Sequence, residues 1–73
     1  MRVTYDISAD AAYIYLREIG PGEAAATLPL DPIEAHGTIN LDLDADGRLI
    51  GIEVLGASAA LPRELLDRAE IIG

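Results

Sequence analysis

The sequence predicts an α+β domain: a small antiparallel β-meander of four to five strands with one C-terminal α-helix packed on the sheet. Three observations carry that expectation. Apolar and polar residues alternate at Val3 and Tyr5, again at Ala12, Ile14 and Leu16, and most strictly at Ile39, Leu41 and Leu43, the period of a half-buried strand. Turn-forming residues separate those runs, above all Asp46-Gly47, where glycine accepts the positive φ of a tight hairpin. Only after Leu61-Pro62 does the spacing become helical, through Leu61, Leu65 and Ala69 with Leu66 beside them.

The elements follow in chain order. Val3 and Tyr5 form a first strand, and Asp6-Ile7-Ser8-Ala9-Asp10 a turn, since Asp and Ser side chains bond to nearby backbone. Ala12, Ile14 and Leu16 give a second strand, paired with the first as a hairpin. Gly20-Pro21-Gly22 is the clearest break in the chain. Ala24, Ala26, Leu28 and Leu30 share one face of a third strand, which Pro29 confines to a sheet edge, because proline cannot donate to a ladder. Asp31-Pro32 and Gly37 bracket an irregular stretch holding Ile33, Glu34 and His36. The run Ile39 to Leu43 and the run Arg48 to Leu55 make a hairpin about Asp46-Gly47, with Ile50, Ile52 and Val54 on one face. Gly56-Ala57-Ser58 ends the sheet region. Leu61-Pro62 opens a helix of about nine residues, too short to persist in water unless docked. Arg68 is spaced to pair with Glu64 across one turn of it.

With 73 residues the chain makes one domain, 1–73. Hydrophobic residues are 51% and charged residues 25% of it, a balance that folds rather than stays disordered. Five basic residues face thirteen acidic ones, for a net charge of -8 at pH 7. That excludes autonomous nucleic-acid binding, which draws its affinity from clustered cations, and it disfavours anionic membrane surfaces. Without cysteine there is no disulfide framework, thiolate zinc site or thiol nucleophile. The opening residues carry no apolar signal core, and no run approaches the roughly 18 apolar residues of a membrane span. A soluble, cytoplasmic protein is the expectation. A domain this small buries only about 60% of its unfolded surface and usually adds a staple. With no disulfide and no Cys/His cluster, association with another chain is the staple left.

Two motifs carry a family resemblance. The opening Tyr5-Asp6-x-x-x-Asp10-Ala11-x-Tyr13-Ile14 and the later stretch from Asp42 through Gly47 to Val54 resemble a bacterial family known as domain of unknown function 2283. Ala57-Ser58 followed by a leucine-bearing helix is similar to that family's tail. The resemblance spans nearly the full chain and implies a small α+β domain. It implies no catalytic residue. Families of this kind sometimes sit beside small toxin-like genes, which implies a neutralising role as one alternative.

The sharpest chemical motif is Asp42-x-Asp44-x-Asp46-Gly47 with Glu53 at the twelfth position, a match to the calcium-loop pattern. Hard oxygens at alternate positions and a distal carboxylate suit that ion. Such a loop needs a helix on each side, whereas both flanks here have strand period. The pattern therefore reads as a solvated hairpin, with Asp42, Asp44, Asp46 and Glu53 the only metal candidates and no cofactor expected. His36 is the one histidine; as a general base it would need a pocket and an orienting carboxylate such as Glu34. Ser8 and Ser58 lack a nucleophile elbow, and Gly20-Pro21-Gly22 lacks the lysine of a phosphate loop. Asp6 and Asp10 bracket the first turn, where they cap backbone amides rather than share a proton in a dry cleft. Tyr13, Tyr15 and Arg17 fall on one strand face with Ala11. Tyr and Arg are enriched in binding hot spots, so these three are the interface candidates; the alternative is that the rings cover the second face of the sheet.

These features lead to the expectation of a non-enzymatic protein–protein interaction module that forms a homo-oligomer or binds one protein partner. Two alternatives remain: an acidic neutraliser of a small basic toxin, and a calcium-binding protein acting through the acidic turn.

Overall fold

The computed structural model describes residues 1–30 and 36–73. The strands are β1 (Arg2–Asp6), β2 (Ala11–Tyr15), β3 (Ala26–Pro29), β4 (Thr38–Leu43), β5 (Leu49–Leu55) and β6 (Glu70–Ile72), with the short helices α1 (Ala57–Ala60) and α2 (Arg63–Asp67) between β5 and β6. They form one six-stranded sheet in the order β3-β4-β5-β2-β1-β6. No helix among the described residues is long and apolar enough to cross a membrane.

Both expected hairpins form. β1 and β2 pair from Arg2↔Tyr15 to Asp6↔Ala11. The Asp6 carboxylate accepts the Ser8 hydroxyl at 2.7 Å and the Ala9 N–H at 3.2 Å, which stitches the turn. In the β4–β5 turn, Gly47 takes φ +81°, and Asp44 Oδ1 accepts the N–H groups of Asp46 and Arg48, each at 2.9 Å. β3 lies at an edge, as Pro29 requires. Leu30 donates its N–H inward to the Ile39 carbonyl at 2.9 Å, so the neighbouring proline turns its missing donor toward the unpaired side.

Three expectations are corrected. The sheet is mixed rather than an antiparallel meander, because β5 inserts beside β2 and β6 runs parallel to β1. Pairing β5 with β2 sets Val54 beside Ala12 and Ile52 beside Ile14, so the apolar rows of the two hairpins run on as one face. The strands number six rather than four or five, since Glu70–Ile72 is too short to show a period. The single helix is two. Leu61 is extended at φ -112°, ψ 152°, the conformation a following proline enforces, and Pro62 caps α2. α2 ends at Asp67, so Ala69 lies outside its face, and Glu64 and Arg68 form no ion pair with each other. Ala57-Ser58, expected to end the sheet region, begins α1. The bracketing Asp31-Pro32, with Ile33 and Glu34, lies outside the described residues.

The first helix is held from a distance. Asp10, at φ +50°, accepts the Gly56 and Ala57 N–H groups on its carbonyl, each at 2.9 Å. Its carboxylate accepts the Ser58 N–H at 2.9 Å and the Ser58 hydroxyl at 2.7 Å. The orphan amides of a helix start are thus met by the β1–β2 turn. The core beneath is small: Ala12, Val54 and Ala57 are buried, with Tyr5, Ile52, Ala60, Leu61 and Leu66 against them.

Candidate functional site

Register places one continuous row of aliphatic residues across the sheet. Leu28 on β3 pairs with Leu41 on β4, Leu41 with Ile52 on β5, Ile52 with Ile14 on β2, and Ile14 with Val3 on β1. Directly paired residues project from the same face, so the five side chains form a ladder. The helices lie over the neighbouring row, packing on Val54, Ala12 and Tyr5. Ile52 packs against that covered core and Val3, Ile14 and Leu41 are partly buried, so the ladder is open at its β3 end. Leu28 is 49% exposed, and Leu16 and Leu30, on the same face, are 41% and 43% exposed. The three exposed leucines fall in three adjacent rows of that face: Leu28 in the ladder, Leu30 beside Ile39 in the row of Val54, and Leu16 beside Ile50.

The opposite face is polar and internally bonded. The Tyr13 hydroxyl crosses β5 and donates to Asp42, whose other oxygen accepts the Thr27 hydroxyl at 2.6 Å. Glycine at position 51 makes the crossing feasible: a Cβ there would overlap the Tyr13 hydroxyl and ring. Burial first, and then the Asp42 hydrogen bond, push the Tyr13 phenol well above the ordinary tyrosine value. Tyr15 lies 4.6 Å from Tyr13 between ring centroids, with the Arg2 guanidinium 4.6 Å over its own ring. Arg17 pairs with Glu23 at 3.1 Å and with Asp44 at 3.9 Å.

The interface candidates Tyr13, Tyr15 and Arg17 are thus gathered on one face, with the Tyr13 hydroxyl already used within the sheet. The calcium pattern is not gathered. Asp42 is bonded to Tyr13 and Thr27, Glu53 accepts the Asn40 amide at 2.9 Å, Asp44 folds onto its own turn, and Asp46 pairs with Arg48 at 3.5 Å. Among the described residues no group of three ligating side chains could hold a metal ion. His36 is exposed, and its suggested partner Glu34 lies outside the described residues.

Sequence reasoning missed two parts of the site. One is the reach of Asp10, which also accepts the Tyr5 hydroxyl at 2.7 Å. The other is the crossing of Tyr13 to Asp42, for which Gly51 inside a strand was the available signal, since such a glycine marks a close approach.

A family model described as "Protein of unknown function (DUF2283)" matches residues 2–58, which takes in β1 to β5 and the start of α1. No curated protein and no solved structure matches the chain.

Proposed function

The chain belongs to the DUF2283 family of proteins of unknown function, and from that premise we propose that it is a non-enzymatic interaction module that self-associates through the exposed aliphatic strip of its sheet. The observation that carries this reading is the ladder Leu28–Leu41–Ile52–Ile14–Val3. A sheet with one apolar face must bury that face against another layer, and on this face Leu16, Leu28 and Leu30 remain 41%, 49% and 43% exposed. A second copy supplies the missing layer with the same apolar surface. The strip is smaller than the roughly 800 Å² per partner of a standard interface, so the association is weak and concentration-dependent. Methyl NMR on serial dilution tests it: the Leu16, Leu28 and Leu41 signals shift with concentration while those of the covered Val54 do not. Dilution-independent strip signals would end the proposal.

A second reading, binding of a basic partner such as a small toxin, is supported by the net charge of -8 and by the carboxylates of the polar face. Charge of one sign speeds encounter with an oppositely charged surface. That mode leaves the aliphatic strip unchanged and weakens steeply with salt, which separates it from self-association.

A further inference from the structure

The first turn, α2 and β6 enclose an open cleft of about 450 Å³, within the range of roughly 300 to 1,000 Å³ typical of small-molecule sites. We propose that this cleft binds a free aliphatic α-amino acid. Its apolar wall is Ile7, Leu66 and Ile71. Ile7 and Ile71 are 60% and 54% exposed, and Ile7 is an apolar residue in a turn otherwise built from Asp, Ser and Ala. The same cleft is lined by Arg63 and Asp67, one helical turn apart. They form no ion pair with each other, and neither is in an ion pair with any other described residue. One cation and one anion therefore line the cleft without an ion-pair partner among the described residues.

The remaining polar groups favour an ammonium beside Asp67. The Tyr5 and Ser58 hydroxyls, which also line the cleft, both donate their hydrogens to Asp10, each at 2.7 Å. What they offer a ligand is lone pairs. Asp67 and these two oxygens accept from an ammonium, and the Arg63 fork takes a carboxylate. A hydrocarbon would leave both charges unused. An aliphatic carboxylate, whether a free acid or a peptide terminus, would leave Asp67 beside its own charge. An α-amino acid with a branched aliphatic side chain meets the three requirements together. α2 and β6 lie beyond the residues the family model matches, so two walls of the cleft come from this chain's own C-terminal segment.

The experiment is methyl NMR titration of the full chain with L-leucine, glycine, 4-methylpentanoate and 3-methylbutylamine. Leucine should shift the Ile7, Leu66 and Ile71 methyls saturably, while glycine, lacking the side chain, should not. Each single-charge analogue should bind about three- to tenfold more weakly, the effect of one lost contact between a charged group and its partner at a partly exposed site. Arg63→Ala should abolish the advantage of leucine over 3-methylbutylamine, and Asp67→Ala its advantage over 4-methylpentanoate. Both residues are exposed, and circular dichroism checks that the variants fold. No saturable shift at the three methyls would overturn the proposal. So would 4-methylpentanoate or the amine binding as well as leucine, or binding unchanged in both variants.

Discussion

Gly51→Ala probes the crossing that fastens β2 to β4. The new Cβ would overlap Tyr13 Oη, Cε1 and Cζ, so the ring must leave its place over β5. The displaced hydroxyl gives up a hydrogen bond to a carboxylate, worth about 1.5–3 kcal/mol and toward the lower end of that range here, because Tyr13 is only half-buried. Loss of ring packing adds about 1 kcal/mol. Replacing glycine within a strand returns about 0.5–1 kcal/mol of backbone entropy. The net cost is about 1–3 kcal/mol, which lowers Tm by roughly 4–8 °C per kcal/mol in a domain of this size. A double-mutant cycle isolates the cause. In a Tyr13→Ala background the overlap is gone, and Gly51→Ala becomes neutral or stabilising by up to about 1 kcal/mol. Urea titration of the four proteins measures the coupling. If Gly51→Ala costs the same with and without the Tyr13 ring, the ring does not lie across β5 and the reasoning fails.

Three further outcomes follow from the same geometry. The Asp10 carboxyl is held below its ordinary value, first by the Tyr5 hydroxyl and then by Ser58, so the folded chain takes up that proton less readily than the unfolded one. Its stabilising contribution is complete above the unfolded carboxyl value near pH 4 and is lost as pH falls below it; acid unfolding of Asp10→Ala, followed by circular dichroism, should lack that component. Tyr13 should ionise only well above the usual tyrosine range, and Asp42→Ala should bring its phenolate absorbance back toward that range in a spectrophotometric titration. Millimolar calcium should leave the melting temperature unchanged, because Asp42, Asp44, Asp46 and Glu53 are dispersed among separate partners; a saturable rise in Tm would contradict that arrangement.

What could be read from the sequence was local. Alternation at Ile39, Leu41 and Leu43 and the Asp46-Gly47 turn specify the β4–β5 hairpin through neighbouring residues alone, and Pro29 placed β3 at an edge by its missing donor. The order of the strands was not legible, because it depends on which strand edges pair across the two hairpins, and that is a contact distant in sequence: β2 takes β5. β6 escaped because three residues cannot display a period. The helix was overextended because Leu61, Leu65 and Ala69 keep helical spacing, although Leu61 is extended before Pro62 and the chain leaves the helix before Ala69. On the candidate site, Tyr13 and Tyr15 were correctly placed on one face, but the destination of the Tyr13 hydroxyl needed a contact 29 residues away. Asp10 read as a local cap, and its carboxylate in fact caps a helix start 48 residues on. The aliphatic ladder was spelled out as separate strand periods, and only the register showed that the five residues stand in one row.

The central claim is that the exposed leucines of the sheet face, Leu16, Leu28 and Leu30, are covered by a second copy of the chain. The most direct measurement is the absolute mass by light scattering across a concentration series, on the natural chain and on Leu28→Asp and Leu16→Asp. Both substituted positions are exposed on the strip, and circular dichroism checks that the variants fold. The expected result is a dimer that strengthens with protein concentration and with salt, since screening relieves the repulsion between two chains of charge -8, and folded monomers for the two variants. A natural chain that stays monomeric at every concentration, or a dimer that persists undiminished in both variants, would contradict it.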